Sequence, residues 1–217
     1  MDFSKSKLAI INDNVSTFSF IDQNGKTVTE KDVEGKVYVA EYFFTTCLSI
    51  CPRMNANMRR LYDEYKNDSG FCILSHTCMP ETDSVPLLKK YEIKMLNGEL
   101  VKHADGSYRI DYTDSSKQST SANKNWFFLT GKKDDLYKMA RASYIIDNNK
   151  PDSLQNVSND FIHSQFFALV DKQRRVRGIY DGLKNAEIEK LKGDIKDLLK
   201  EKNTSKRFIG GSSNTPE

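Results

Sequence analysis

Lys36-Val-Tyr-Val-Ala-Glu-Tyr-Phe-Phe-Thr-Thr-Cys-Leu-Ser-Ile-Cys-Pro52 is the stretch on which the reading of this chain turns. Val37 to Phe44 is a strand-sized run rich in Val, Tyr and Phe, broken by a single charge at Glu41. Such a run reads as a largely buried strand. It leads into Thr45-Thr46-Cys47, and Pro52 then suits the first turn of a helix. Met54, Met58, Leu61, Tyr62 and Tyr65 recur behind it at helical spacing. Cys47 therefore ends a buried strand, and Cys51 lies one helical turn further on. Side chains at i and i+4 share a helix face, roughly 5–6 Å apart at Cβ. Two thiols so placed can close on one soft ion or meet as a dithiol. A helix N-terminus favours anions, which biases both cysteines toward thiolate. A dithiol oxidoreductase typically has two residues between its cysteines; here Leu48, Ser49 and Ile50 intervene.

Outward from this junction, strands and helices alternate. Asn24-Gly25 is a hairpin-turn signal between Ser19–Asp22 and the Val28 region. Phe71 to Ser75 reads as a short strand and Pro86 to Met95 as a helix with Leu87, Leu88, Tyr91 and Met95 on one face. Residues 97–124 are polar and read as an exposed hairpin or flexible insertion. Trp126 to Leu129 is a strand, and Asp134 and Asp135 suit the first turn of a helix carrying Leu136, Met139 and Ala140. Gln165–Val170 and Val176–Tyr180 form two strands joined by a tight basic turn. Asn185 is expected to cap a final helix with Ile188, Leu191, Ile195, Leu198 and Leu199 inward. Residues 1–202 thus read as one α/β domain, followed by a Ser/Gly/Asn-rich tail at 203–217. A parallel core ending in an antiparallel hairpin and a helix is the thioredoxin-like arrangement, a central mixed sheet with flanking helices.

Composition excludes several classes. Of 217 residues, 33 are Lys or Arg and 30 Asp or Glu, a net charge of +3 with no basic cluster among stacking aromatics. That disfavours a nucleic-acid protein. Apolar runs are strand-sized, not membrane-spanning. Met1-Asp2-Phe3-Ser4 lacks the basic start and apolar stretch of a signal peptide. Four cysteines are too few for a disulfide scaffold, but all four fall at or before residue 78. Their grouping points to thiol chemistry or metal binding in the first half of the fold.

Tyr42-Phe-Phe-Thr-Thr-Cys-Leu-Ser-Ile-Cys-Pro52 resembles the Cys-x-x-x-Cys-Pro segment of the SCO/SenC family of copper proteins. Ser75-His-Thr-Cys-Met-Pro-Glu-Thr-Asp-Ser84 resembles its Pro-Glu-x-Asp loop, and Trp126-Phe-Phe-Leu-Thr-Gly131 its Trp-x-Phe-Leu-Thr-Gly strand. Asp160-Phe-Ile-His163, ahead of Phe167-Ala-Leu-Val-Asp171, resembles its histidine segment. The resemblance implies copper, Cu(I) or Cu(II), held by Cys47, Cys51 and His163. It implies a metallochaperone that delivers copper to the binuclear copper centre of cytochrome c oxidase, or prepares that centre's thiols. Thiolates select Cu(I) and imidazole tolerates both oxidation states. The expected partners are a copper-accepting oxidase subunit and a thiol reductant protein, with the chain a monomer. The expected location is the periplasmic side of the cytoplasmic membrane, the usual N-terminal anchor being absent from this chain.

The competing function is a thiol–disulfide oxidoreductase using Cys47 and Cys51 as its redox pair. A peroxidase is disfavoured because the Pro of its Pro-x-x-x-Thr-x-x-Cys motif is missing, and a sensor without delivery is the third reading. Where the family usually has Pro-Asp after the first cysteine, this chain has Leu48-Ser49, and loss of the acid should ease thiolate formation. Cys72 reads as core, and Cys78 as a packing or surface cysteine, with a third thiol near the site as the sharper alternative. His76 reads as a loop residue beside the site and His103 as solvated. Met54 and Met58 read as packing residues, and Arg174, Arg175 and Arg177 as a solvated hairpin tip.

Overall fold

Two short antiparallel strands, β1 (Ser19–Ile21) and β2 (Thr27–Thr29), precede the central sheet. They belong to a computed structural model that describes residues 8–112, 123–147, 162 and 164–202. Asp22 Oδ1 closes their turn by accepting the amides of Asn24 and Lys26, both at 2.8 Å. Gly25 takes a φ of 75° there, a region that residues with a Cβ rarely enter.

Next come β3 (Val37–Phe43), α1 (Cys51–Tyr65), β4 (Phe71–Thr77) and α2 (Val85–Asn97). A hairpin follows, β5 (Glu99–Lys102) with β6 (Tyr108–Asp111), then β7 (Trp126–Leu129) and α3 (Lys133–Lys138), which runs into a π-helical turn at Met139–Ser143. The described chain closes with β8 (Phe166–Val170), β9 (Val176–Asp181) and α4 (Asn185–Lys200). Among the described residues one sheet has the order β7-β4-β3-β8-β9. β3, β4 and β7 are parallel, while β8 runs antiparallel to β3 and β9 antiparallel to β8. This is the thioredoxin-like α/β fold that the order of elements predicts.

Burial explains why the strands read as they do. Every residue of β3 is buried, because helices cover both faces of the sheet. Val37, Val39 and Phe43 face α1, α2 and α4, where Met54, Met58, Leu61, Leu88, Ile188 and Leu191 meet them. Tyr38, Ala40 and Tyr42 face Leu136, Tyr144 and the β1–β2 hairpin on the other side. Met54 and Met58 are fully buried packing residues, as their spacing predicts. Each such side chain contributes about 1.5–3 kcal/mol.

Three expectations are corrected. The insertion is not wholly exposed: Ile110 of β6 enters the core beside α1, and the Arg53 guanidinium lies 5.4 Å above the Tyr108 ring. Asn185 does not cap α4; it is the first helical residue, and its Oδ1 accepts from Arg60 Nη1 at 3.1 Å. The arginine cluster is not a solvated tip. Arg177 is buried, with Nη1 on Asp171 Oδ2 at 2.8 Å and on Glu201 Oε2 at 3.2 Å, and Arg175 Nε also reaches Asp171 Oδ2 at 2.8 Å. The rest of the insertion, residues 113–122, and the tail at 203–217 lie outside the described residues, as does His163.

Candidate functional site

Cys47 does not sit on the helix. β3 ends at Phe43, α1 begins at Cys51, and the intervening loop folds back over the helix start. There the Cys51 amide donates to Cys47 Sγ at 3.4 Å. No side-chain cap serves α1, so the sulfur satisfies one of the amides that a helix N-terminus leaves free. The loop is pinned from below. Thr45 donates to the buried Asp83 through its amide at 3.2 Å and its hydroxyl at 2.6 Å, and the Thr77 hydroxyl binds the same carboxylate. The Cys78 amide donates to Phe43 O at 2.7 Å, tying the end of β4 to the end of β3. Asp83 is the Asp of the Pro-Glu-Thr-Asp loop, and its anchoring role has no signal at the level of spacing. Asn55, one turn into α1, donates to Cys51 O at 3.1 Å and to the Tyr91 hydroxyl at 3.0 Å.

The two thiols ionise in opposite senses, not together as the helix-terminus argument alone implies. Cys47 is pulled down to about 5, chiefly by the Cys51 thiol donating to it and also by the amides of Cys51 and Ser49, against the penalty of burial. The Ser49 hydroxyl lies 3.7 Å from Cys47 Sγ, so the residue that replaces the usual acid adds a donor instead of a charge. Cys51 is raised, first by holding its proton toward Cys47 and then by burial. One thiolate and one thiol share a proton. Alkylation of Cys47 by iodoacetamide should accordingly plateau above pH 6, with a midpoint near about 5. Cys51→Ala, which removes the main donor, should move that midpoint up by more than one unit. Quantifying the alkylated peptide from pH 4 to 9 checks both, and a wild-type midpoint above 7 would refute the assignment.

A cavity of about 210 Å³ opens beside the pair, lined by Cys47, Cys51 and Cys78, by Phe43, Phe44 and Ile50, and by Ile162 and Ser164. Ile162 and Ser164 flank His163 in sequence, and the Ser164 hydroxyl is fixed on Ile146 O at 2.6 Å. They stand there because β8 starts at the rim where β3 ends. Among the described residues no three His, Cys, Asp or Glu side chains are grouped to hold a metal ion. The donors present, one thiolate and one thiol at an apolar wall, fit a soft ion such as Cu(I).

Of the other cysteines and histidines, Cys72, His76 and His103 lie apart from this centre, while Cys78 lines its cavity. Cys72 is core, on the opposite sheet face among Tyr38 and Tyr144, and burial pushes its pKa up to about 12. Cys78 is not at the surface: it is buried at the cavity wall, and burial raises its thiol first, with the charges of Asp83 and Cys47 adding. His76 is a strand residue, not a loop residue. It pairs with Tyr42 across β3, stacks on the Tyr42 ring at 5.1 Å and points away from α1. Burial takes it down to about 3, so it is neutral. His103 pairs with Asp111 at 2.6 Å in the β5–β6 hairpin, far from a purely solvated residue.

A thioredoxin-like sheet with a proton-sharing cysteine pair at the carboxyl end of its central strand defines a dithiol protein of the thioredoxin class. The SCO1/SenC family model matches residues 10–200, and the chain belongs to that family. It is 28% identical over 188 residues to the SCO1 protein homolog of Bacillus subtilis, covering 86% of this chain and 83% of that protein. The solved structure of BsSco superposes with a TM-score of 0.63 at 27% identity, covering 89% of this chain and 98% of that one. BsSco is described as a member of the Sco family of cytochrome c oxidase assembly proteins in which a disulfide switch was identified. Arabidopsis thaliana ScoI, solved with copper bound, shares the fold with a TM-score of 0.57 at 22% identity, covering 85% of this chain and 97% of that one.

Proposed function

We propose that this chain is a copper metallochaperone of cytochrome c oxidase assembly, with Cys47, Cys51 and His163 as its copper ligands. The observation that carries the reading is the cavity beside the Cys47–Cys51 pair, whose far wall is formed by the sequence neighbours of His163. Family membership supports it, as does BsSco's place among oxidase assembly proteins. Copper is cargo. A thiolate already formed at Cys47 captures Cu(I), and Cys51 becomes a second thiolate as its proton is displaced by the metal. The imidazole of His163 adds the harder donor that Cu(II) requires. The accepting partner in this reading is an oxidase subunit on the periplasmic side of the cytoplasmic membrane. Among the described residues no helix is long and apolar enough to cross a membrane.

Titration with Cu(I) and Cu(II), followed by metal analysis, tests the ligand set. His163→Ala should keep Cu(I) within about tenfold and lose Cu(II) by more than the roughly 10–100-fold that removal of an outer hydrogen-bond partner brings. Unchanged Cu(II) binding in this variant would remove His163 from the site.

The opposite ionisation of the pair favours a second reading, thiol–disulfide exchange. Exchange needs a thiolate to attack and a second thiol to resolve the mixed disulfide, and Cys47 and Cys51 are so divided. On that reading the chain prepares the thiols of the copper centre, and His163→Ala leaves exchange intact.

A further inference from the structure

Ser164 stands at the cavity beside the thiols, and the ligand set above gives it no task. The residue is buried, 6% exposed, and its hydroxyl works in both directions. Oγ donates to Ile146 O at 2.6 Å and accepts the Phe166 amide at 3.2 Å. The second bond is a local serine turn at the start of β8. The first is not local, because Ile146 lies 18 positions earlier, just past the π-helical turn.

The Ile146 carbonyl is presented by a strained stretch of chain. Tyr144 N donates to Met139 O at 2.9 Å and Ile146 N to Ala140 O at 3.1 Å, both wider loops than an α-helix makes. Ile145, between them, takes a φ of 58°. A β-branched side chain rarely enters that region, and such strain persists only where the surroundings over-determine it. Here they do: Asn12 Nδ2 holds Ser143 O at 2.7 Å, Tyr144 and Ile146 are buried, and Ser164 holds the carbonyl itself. Strained residues and π-helical turns collect where a fold must place a group within a narrow tolerance.

The strand side of Ser164 is equally tied. Gly182 N donates to Gln165 O at 2.8 Å, and Gln165 Nε2 reaches Asp181 Oδ2 at 2.8 Å, so the start of β8 is bound to the end of β9. Ile162 is buried in the same cluster as Tyr144 and Ile146. His163 is joined to Ile162 and to Ser164 by one peptide unit each, about 3.8 Å between successive Cα atoms. Its two covalent neighbours are thus fixed, one by burial and one by a hydrogen bond.

We propose that Ser164 is a positioning residue for the copper site: its hydrogen bond to the Ile146 carbonyl holds the chain beside His163 at the rim, and this favours Cu(II) relative to Cu(I). The proposal rests on Cys47, Cys51 and His163 being the ligands. Two thiolates satisfy Cu(I) by themselves, so its binding is indifferent to what holds the histidine. Cu(II) needs the imidazole, and a ligand carried on a loose backbone loses conformational freedom when it binds. Removing the Ser164 bond therefore weakens Cu(II) and spares Cu(I). A hydroxyl that served stability alone would move both affinities together.

The test compares the full chain with Ser164→Ala, with Ser164→Thr, which keeps the hydroxyl, and with His163→Ala. Each is titrated anaerobically with Cu(I) against a coloured chelator and separately with Cu(II), and the Cu(II) adduct is examined by electron paramagnetic resonance. Ser164→Ala should lose at least about tenfold in Cu(II) affinity, the lower end for loss of an outer hydrogen-bond partner at a metal site. It should keep Cu(I) within about twofold, the scatter between independent sites. Its Cu(II) resonance should broaden or split, because the histidine then meets the ion in several poses. Ser164→Thr should restore both the affinity and the resonance. Ile145→Gly decides the matter if Ser164→Ala does not fold. Glycine adopts a φ of 58° without strain, so the fold is kept, while the freed turn should again weaken Cu(II) and spare Cu(I). Wild-type Cu(II) affinity and resonance in the folded variant, or an equal loss of Cu(I) and Cu(II), would overturn the proposal. Failure of the ligand reading is a separate result: if His163→Ala binds Cu(II) as the wild type does, the histidine is no ligand and the proposal falls with it.

Discussion

Cys51→Ser should abolish copper retention by the folded protein. Cys51 is at once the second soft donor, the main source of the depressed Cys47 pKa, and the residue whose amide fixes Cys47 Sγ. Serine keeps the amide contact, so the backbone of α1 should survive. It replaces a thiolate by a hydroxyl, which ionises far above neutrality and binds Cu(I) poorly. The expected fall in Cu(I) affinity exceeds the roughly 100-fold upper range for loss of an outer-shell partner. Anaerobic competition against a coloured Cu(I) chelator measures it, with Cys47→Ser giving an equal or larger loss. Retention of Cu(I) within about tenfold of wild type would show that the pair is not the anchor of the metal.

The largest expected loss of stability lies far from the thiols, at Asp171. Its carboxylate accepts from Arg175 Nε and Arg177 Nη1, both at 2.8 Å, and from the amides of Gln173 and Arg175 at 2.9 and 3.0 Å. Arg177 in turn binds Leu8 O at 2.7 Å and Glu201 Oε2 at 3.2 Å, so one buried cluster joins the β8–β9 turn, the end of α4 and the first described residues. Asp171→Ala strands the Arg177 charge with a single, longer carboxylate partner. Breaking such a buried pair costs about 3–5 kcal/mol, and the lower end applies because Glu201 remains. For a chain of this size that corresponds to a fall of roughly 10 °C in Tm. Urea unfolding checks the value, and Asp171→Asn, which keeps an acceptor for the turn amides, should lose less. A change under about 1 kcal/mol would show that the cluster is surface-like in energy.

What the sequence reveals and what it conceals follow from how far each cause reaches along the chain. β3 and α1 are legible because an apolar run and a helical spacing are local patterns. The thiol pair is legible for the same reason, since Cys47 and Cys51 are close in sequence. The reason for their proximity is not: the loop of residues 44–50 is shaped by Asp83, nearly forty positions on, through Thr45 and Thr77. β4 runs to Thr77 instead of Ser75 because Tyr42 and Phe43 of β3 offer pairing partners to His76 and Thr77. Propensity alone ends the strand at the polar Ser75-His76-Thr77, and so misplaces the histidine. Arg177 reads as solvated because its partner Glu201 comes from the end of α4. Glu41 is visible as a break in the run, but what holds it there, Ser75 and behind it Trp126, comes from two other elements.

The strand pairing also sets an order of assembly. β8 and β9 adjoin in sequence and can zip locally, whereas β3 meets β8 through pairs such as Ala40 with Ala168, more than a hundred residues apart. Contacts of such long range form slowly, because the loop must close before the contact rewards it. The wall that Ile162 and Ser164 supply to the cysteine cavity arrives with that late docking. During the conformational search, the thiols of Cys47 and Cys51 are open to oxidants while Cys72 is still outside its core. An oxidant met at that stage can join Cys72, harmless in the native sheet, to Cys47 or Cys51 in a misplaced disulfide.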